Sequence, residues 1–448
     1  MISGCSVISE VDRSDLVSHM PDSFITNTNS RADVSLTWAD SFNNPDLEKD
    51  ITTLLSQNFE LEAGRARIRQ AAAYLGIRNA DLFPSVFLTA DIHHEKNRKE
   101  GEISRTNKDF SLETSLNWDL DIWGRLKAKK EAAVLTFKEN MELYEQTVSD
   151  LEILLVESWI DYHTASQLER VLQQQQIINT QFLKLTELRF KQGQGNSLDV
   201  LQQRGHIKAL NRQLLSIKKD MISSDNSYAV LLGRIPDGIT IKDSVLPKLE
   251  PFKLLPTPKS LLNNRRDLKA AFLSVLAADQ EVAAAIANRL PQLSIGFSYN
   301  VNGDTISNMT NNKIISIVTG VLAPIFDAGK RKAEVSNRQE IANEALAKLR
   351  HLMLTVMRDI ETGLYYETTF FEEQELINKE IVIAERSVAE ARIRYINGQD
   401  NYLRVLEALG NLQTLYQHQI LLNRDLLKNR ARLLKFFGAK WRQNNEAT

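Results

Sequence analysis

The chain repeats itself. Leu82-Phe83-Pro84-Ser85 returns as Arg289-Leu290-Pro291-Gln292, an offset of 207 between the prolines. Gly124-Arg125-Leu126-Lys127-Ala128 returns as Gly329-Lys330-Arg331-Lys332-Ala333, and Arg189-Phe190-Lys191-Gln192-Gly193-Gln194 as Arg394-Tyr395-Ile396-Asn397-Gly398-Gln399, both at offset 205. Val200-Leu201 and Val405-Leu406 keep that spacing. Landmarks in one order at a nearly constant offset mean two copies of one unit of about 205 residues. Between them, 234–259 holds five of the ten prolines and reads as a connector. The organisation is then a tether over 1–35, a first repeat over 36–233, the connector, a second repeat over 260–438 and a tail over 439–448.

Each copy contains a helix of unusual length. From Gly124 to Gly193 there are 68 intervening residues without Gly or Pro; from Gly329 to Gly398 there are again 68, interrupted only by Gly363. At about 1.5 Å per residue each run reaches roughly 100 Å, longer than a globular domain is wide. Val134, Phe137, Met141, Tyr144, Val148, Leu151 and Leu155 recur at three- and four-residue spacing, a coiled-coil seam. Ser158 interrupts it, and Trp159 with Tyr162 resumes it. Shorter helices are expected over 47–83, 197–233, 260–290 and 400–437. The glutamines Gln173 to Gln176 read as a polar helix face.

Between each helix pair the period changes to two. Phe110, Leu112, Leu116, Trp118 and Leu120 alternate with Ser111, Glu113, Ser115, Asn117 and Asp119; Leu293, Ile295, Phe297, Tyr299 and Val301 alternate with Ser294, Gly296, Ser298, Asn300 and Asn302. Partner strands fit Val86 to Ile92 and Ile314 to Ile325, making hairpins over 85–121 and 292–325 with polar loops near 95–108 and 303–312. These are lengths at which a tilted strand crosses a bilayer. Trp118, Trp123 and Tyr299 suit an interfacial aromatic belt. Four strands cannot close a barrel, and lipid permits no open sheet edge. Either the sheet is a soluble surface feature, or chains pool strands under cyclic symmetry. Three chains give twelve strands, enough for a barrel with an aqueous lumen that the long helices continue as a tube.

Composition excludes several other classes. The longest wholly apolar run is six residues, Val282 to Ala287, against the roughly 20 of a spanning helix. Lys plus Arg is 55 against 57 Asp plus Glu, so there is no basic footprint for nucleic acid. A single cysteine excludes a disulfide framework and multi-Cys metal sites. His93-His94-Glu95 is the nearest approach to a metal motif, but adjacent strand residues point to opposite faces. No Ser/His/Asp signature, phosphate loop or cofactor motif is present, so neither an enzyme nor a cofactor or metal site is expected. The one cysteine stands in Ile2-Ser3-Gly4-Cys5, similar to a bacterial lipobox, which marks Cys5 for lipidation, with residues 6–35 as an extended polar tether. The charged and apolar parts of an export signal do not precede it, so a longer natural N-terminus is expected.

The chain resembles the TolC-like outer-membrane efflux proteins, in particular the lipoprotein branch serving tripartite pumps. The resemblance spans about 36–438. It rests on Trp38-Ala39-Asp40-Ser41-Phe42 with Pro45, Leu47, Asn58 and Ala63; on Arg67, Gln70-Ala71 and Pro84; and on Trp118-Asp119-Leu120-Asp121-Ile122-Trp123-Gly124-Arg125. In the second copy it rests on Pro324-Ile325-Phe326-Asp327-Ala328-Gly329-Lys330, and on Arg394-Tyr395-Ile396-Asn397-Gly398 continuing into Asn401-Tyr402-Leu403-Arg404-Val405-Leu406-Glu407-Ala408. The resemblance implies an α+β membrane protein, a homotrimer whose 12-stranded outer-membrane β-barrel, four strands per chain, continues into a long α-helical coiled-coil periplasmic tunnel. Its implied partners are outer-membrane lipid, a periplasmic adaptor and an inner-membrane pump.

The resemblance also implies a gate where the long helices turn at Gly193 and Gly398. Carried over by position, its members are Tyr395, Asp400, Arg404 and Glu407, with Asp199 of the first copy at the place of Arg404. Some family members are acidic at the positions of both Arg404 and Glu407; here the first is basic. Adaptor contact is expected at Arg189, Gly193, Arg394 and Gly398. Like charges from three chains repel at a narrow pore, and opposite ones across neighbours latch it. A type I secretion duct uses the same architecture, although the lipobox favours efflux. A periplasmic coiled-coil lipoprotein is the rival of another class, and would not need the alternating strands.

Overall fold

In the computed structural model of the protein the described residues are 21, 23–26, 30–31, 36–38, 41–97 and 105–439. Cys5, nearly all of the tether and most of the first hairpin's loop lie outside them. The element order is α1 Pro45–Gln57, α2 Phe59–Ala80, β1 Ser85–Asn97, β2 Arg105–Leu120, α3 Arg125–Lys191 and α4 Ser197–Leu231, then α5 Pro258–Asn264, α6 Arg266–Ala287, β3 Gln292–Gly303, β4 Asn312–Leu322, α7 Lys330–Ile396 and α8 Tyr402–Phe436. In three helix pairs the duplication is kept to the residue: α3 and α7 each have 67 residues, α4 and α8 each 35, α2 and α6 each 22. Two compact units result, each drawn from both copies. One comprises 65–143 and 267–352, and the other 17–64, 144–266 and 353–448, apart from the residues left undescribed.

The first unit holds the four-stranded sheet. Its order is β1-β2-β3-β4, antiparallel throughout, so the junction of the two copies is the β2–β3 pair. Register places Leu112 opposite Val301, Leu116 opposite Phe297 and Trp118 opposite Ile295, assembling one apolar face; Glu113 opposite Asn300 and Ser115 opposite Ser298 lie on the other. Val86, Leu88 and Ile92 extend the apolar face on β1, and Ile315, Ile317 and Val321 extend it on β4. These side chains are exposed, Ile92 and Ile317 by 74% each. The strand expected to reach Ile325 ends at Leu322, because Pro324 lacks the N–H that a ladder needs. Among the described residues the outer edges of β1 and β4 have no partner strand. Alongside the sheet, small buried residues (Ala128, Ala132, Ala133, Ala277, Ala284) line α3 and α6.

The second unit holds the main core, around Trp38, Ile51, Leu155, Ile160, Tyr228 and Leu427. Here single helices were expected over 47–83 and 260–290, but each is broken, at Asn58 and Arg265, which share offset 207. Both residues adopt extended backbone, φ −71 ψ 127 and φ −81 ψ 127. Asn58 Oδ1 accepts from the Glu60 and Leu61 amides at 2.8 and 3.1 Å, and its Nδ2 donates to the Leu231 carbonyl at 2.9 Å. Arg265 donates to the Phe436 carbonyl at 3.4 Å and stacks 5.3 Å from that ring. Leu231 and Phe436 are themselves 205 apart, so one joint is built twice with different side chains. Gly233 and Gly438 close it at φ +73 each; a Cβ on Gly233 would lie 2.5 Å from the Gln57 carbonyl oxygen.

The Pro-rich connector is held down along its length. Asp225 accepts from the Thr240 and Ile241 amides at 2.8 and 2.9 Å, and Ser244 Oγ meets His163 Nε2 at 3.1 Å. Arg430, buried, forms a bidentate pair with buried Glu367, donates to the Glu250 carbonyl at 2.6 Å and lies 3.8 Å from the Phe252 ring. Removing either charge of such a pair strands the other, at a cost of about 3–5 kcal/mol. At Gly363, the interruption in α7, α8 packs close: a Cβ there would stand 2.8 Å from Leu433.

Two predictions follow from this packing. Gly233→Ala should lower the midpoint of thermal unfolding by more than Gly124→Ala, since both add a Cβ at positive φ but only the first meets backbone; roughly 1 kcal/mol separates strain alone from the open position's parent. Glu152 sits buried between core residues Leu151 and Ile153, and burial pushes its carboxyl up to about 7 from the ordinary glutamate 4.5. Between those values the unfolded chain ionises while the folded chain keeps its proton, so stability falls as pH rises through that window and stays lower above it. Glu152→Gln should be more stable than the parent at pH 8 by about 1–3 kcal/mol and equal to it at pH 4, read by denaturant unfolding.

Candidate functional site

The long helices of the second unit end in two matching turns. At the first, the Gly193 amide donates to Phe190 O at 3.0 Å and the Gln194 amide to Arg189 O at 2.9 Å; at the second, Gly398 donates to Tyr395 O at 3.1 Å and Gln399 to Arg394 O at 2.9 Å. This pairing is the Schellman motif, which requires a left-handed residue, and the glycines supply it at φ +71 and +72. Asn196 then caps α4 by accepting from the Leu198 amide at 2.9 Å.

Beneath the turns, Phe182, Tyr395, Tyr402, Val405 and Leu409 form a small apolar cluster of their own. Tyr395 and Tyr402 meet edge to face at 5.5 Å between centroids. The Arg189 guanidinium lies 4.6 Å from the Tyr395 ring centroid and donates to the Ile396 carbonyl at 3.1 Å, fastening the first hairpin to the second. Tyr395 Oη and Arg189 Nε are buried without a hydrogen-bond partner among the described residues. Burial raises the Tyr395 phenol; the Arg189 charge opposes this and Asp199 adds to it.

A polar line runs inward from this cluster. Tyr402 Oη donates to Gln203 Oε1, and Gln203 Nε2 donates to the Asn179 carbonyl at 2.7 Å and to its Oδ1 at 3.1 Å. Tyr402, Gln203 and Asn179 are each 0% exposed, so water does not compete for these bonds. The Tyr402 phenol is pushed up by burial first, then by Tyr395 and Asp199. Three helices, α8, α4 and α3, are therefore joined by one chain of buried side chains.

The charges are arranged differently. Arg394 Nε pairs with Asp400 at 2.7 Å, and Arg404 with its own neighbour Glu407 at 3.5 Å; both of the latter are exposed. Asp199 is half-buried in the first turn of α4, where a carboxylate suits the helix dipole.

A family model described as outer membrane efflux protein matches residues 51–234 and 257–439, most of both repeats. The chain belongs to the outer membrane efflux protein family. It is 26% identical over 421 residues to the pyoverdine export outer membrane protein OpmQ of Pseudomonas putida, spanning 91% of this chain and 89% of that one. It is 22% identical over 462 residues to the cation efflux system protein CusC of Escherichia coli, spanning 99% and 97%, and 22% identical over 414 residues to the probable outer membrane lipoprotein SilC of Salmonella typhimurium, spanning 90% and 88%. The solved outer-membrane channel OprN superposes with a TM-score of 0.87 at 21% identity, covering 94% of this chain and 97% of that one. The protein is thus an outer-membrane efflux channel, with the helix-rich fold of the trimeric channels of its family. The family consists of channel proteins.

Within this efflux protein, Arg189 and Tyr395 stand together, as do Arg394 with Asp400 and Arg404 with Glu407, whereas Gly193 and Gly398 shape the turns. Sequence reasoning passed over Tyr402, Gln203 and Asn179. A signal existed: Leu168, Leu172, Gln175, Asn179, Phe182 and Thr186, all buried, continue the seam at four- and three-residue steps, with polar members. Gln175 is 5% exposed, so one of the four glutamines belongs to the seam and not to a polar face. Tyr402→Phe should leave the Gln203 amide oxygen unpartnered in a buried site, about 1–3 kcal/mol. Amide exchange across 197–205 should quicken by roughly tenfold while the rest of α4 is unaffected; unchanged protection at those amides would remove the bond from the tip's stability.

Proposed function

We propose that three copies pool their sheets into a twelve-stranded barrel and that the helix tips gate the duct beneath it. The observation that carries this is the open four-stranded sheet: apolar on one face, more polar on the other, with both edges unpaired among the described residues and four helix connections leaving one end. In lipid an unpaired backbone group costs several kcal/mol, and a neighbour's β1 against β4 supplies the missing partner at both edges. The channel is passive. An inner-membrane pump provides the energy, and a periplasmic adaptor meets the tips at Arg189, Gly193, Arg394 and Gly398. Cys5 carries the lipid anchor.

In this reading the closed tip depends on two kinds of contact. Inside each protomer, Arg189 over Tyr395 and Tyr402 to Gln203 hold the hairpins together. Tyr395, Asp400, Arg404, Glu407 and Asp199 then set the field at the pore. The cargo class is small solutes; its similarity to proteins named for pyoverdine export and cation efflux supports efflux over protein secretion.

Replacing Leu116 or Phe297 with Asp places a carboxylate on the apolar face and should abolish insertion of trimers into liposomes, since such a charge costs up to a few kcal/mol at mid-bilayer. Insertion at parental yield would refute the barrel. Arg189→Ala with Tyr402→Phe should increase single-channel conductance in planar bilayers severalfold, and an unaltered conductance would take both residues out of the gate.

A further inference from the structure

The helices that leave the sheet begin with cations. Arg125-Leu126-Lys127-Ala128-Lys129-Lys130 opens α3 and Lys330-Arg331-Lys332 opens α7, and neither first turn contains an acid. Cations at a helix N-terminus face the positive end of the dipole, so this placement is unfavourable on its own and the helix does not explain it. The crowding registers on Lys129, whose ammonium is pushed down by burial and then by Arg125 and Arg78.

Four acids at this level are already engaged. Asp121 accepts from the Leu126 and Lys127 amides at 2.9 and 2.7 Å, and Asp327 from the Gly329 and Arg331 amides at 3.1 and 3.2 Å. Asp81 pairs with Arg78 and Asp119 with Arg125. Lys127, Arg289, Lys330 and Lys332 are exposed and make no ion pair among the described residues.

Apolar side chains stand beside these cations in both copies. Ile122 and Trp123 precede Lys127 and are 57% and 42% exposed; Ile325 and Phe326 precede Lys330 and are 92% and 88% exposed. Trp118 and Trp123 spend their indole N–H groups on the Leu82 and Pro291 carbonyls, at 3.1 and 2.7 Å, which orients both rings at this end of the sheet. Aromatic rings fixed at the end of an apolar strand face mark the headgroup level. Cations one turn beyond it sit where phosphate does, and amphipathic surfaces of this make bind anionic lipid.

We infer that Lys127, Arg289, Lys330 and Lys332 form a collar that binds the anionic phospholipid headgroups of the periplasmic leaflet, with Ile122, Ile325 and Phe326 entering the acyl layer beside them. The inference rests on the barrel reading, which fixes this end of the sheet at the membrane surface. The collar anchors the channel at a set depth and gives it a preference for acidic phospholipid that the barrel's apolar face alone does not confer.

The test reconstitutes the full-length trimer into phosphatidylcholine bilayers containing a minor share of phosphatidylglycerol, re-extracts it in mild detergent and quantifies the lipid that remains bound. The parent should retain phosphatidylglycerol at roughly fivefold or more above its bulk share, and lose that enrichment at about 1 M salt, where the screening length is about 3 Å. A variant with Lys127→Gln, Arg289→Gln, Lys330→Gln and Lys332→Gln should conduct normally and return to the bulk ratio. A control with Lys208, Lys219, Lys348 and Lys379 changed to Gln should keep the enrichment. Should the fourfold variant fail to assemble, Lys330→Gln with Lys332→Gln should halve the enrichment or better. A parent that conducts without enrichment, an enrichment indifferent to salt, or a collar variant that matches the control overturns the collar alone. A parent that enters no bilayer of either composition overturns the barrel and the collar together.

Discussion

A peptide group in hydrocarbon has no water to bond, so a strand at a sheet's edge must find another strand or leave the membrane. That requirement governs this chain. Duplication provides two hairpins and joins them through β2 and β3, yet two edges are left. The apolar face forbids the sheet from sitting comfortably in water, and the open edges forbid it from sitting alone in lipid. Assembly with further copies satisfies both, and the helices that leave one end of the sheet then have a common direction in which to continue.

Duplication also explains why paired positions diverge. The frame repeats, down to helices of equal length and matched glycine turns, while the side chains at equivalent places take different work. Asp225 clamps two connector amides, whereas Arg430, 205 residues on, clamps a connector carbonyl and a buried glutamate. Phe190 is exposed at one turn, but its counterpart Tyr395 is buried under Arg189 at the other. Asp199 and Arg404 occupy one position with opposite charge. A symmetric pair of hairpins would have no reason to prefer one packing over another; these differences give each a distinct place.

The tip illustrates why polar groups are kept in a coiled-coil seam. Asn179, Gln203 and Tyr402 bond only one another and the backbone there, so a slip of one helix past another breaks every link at once. An apolar seam tolerates such sliding far better, and polar seam residues commonly fix register for this reason. A tip that opens on an external contact, as we propose for this one, benefits from having two definite arrangements and not a continuum of them.

The long helices, the matched turns and the alternating strands were legible from the residues, because periodicity and the positions of Gly and Pro act locally. The breaks at Asn58 and Arg265 were not read. Asn58 is a favoured cap that accepts from the Glu60 and Leu61 amides, but Arg265 has no such preference, and each residue also bonds a carbonyl on another helix more than 170 positions away. Arg189 and Tyr395 were expected at the tip from the family resemblance, but not as partners of each other. Gln203 and Asn179 were hidden because a buried amide and an exposed one are the same letter. Sequence by itself determined that the long helices, their glycine turns and the hairpins exist and that they come in pairs, for those follow from backbone sterics and side-chain period. Tertiary structure alone decided which polar side chains leave water and with whom they bond, because that choice depends on groups brought together across hundreds of residues.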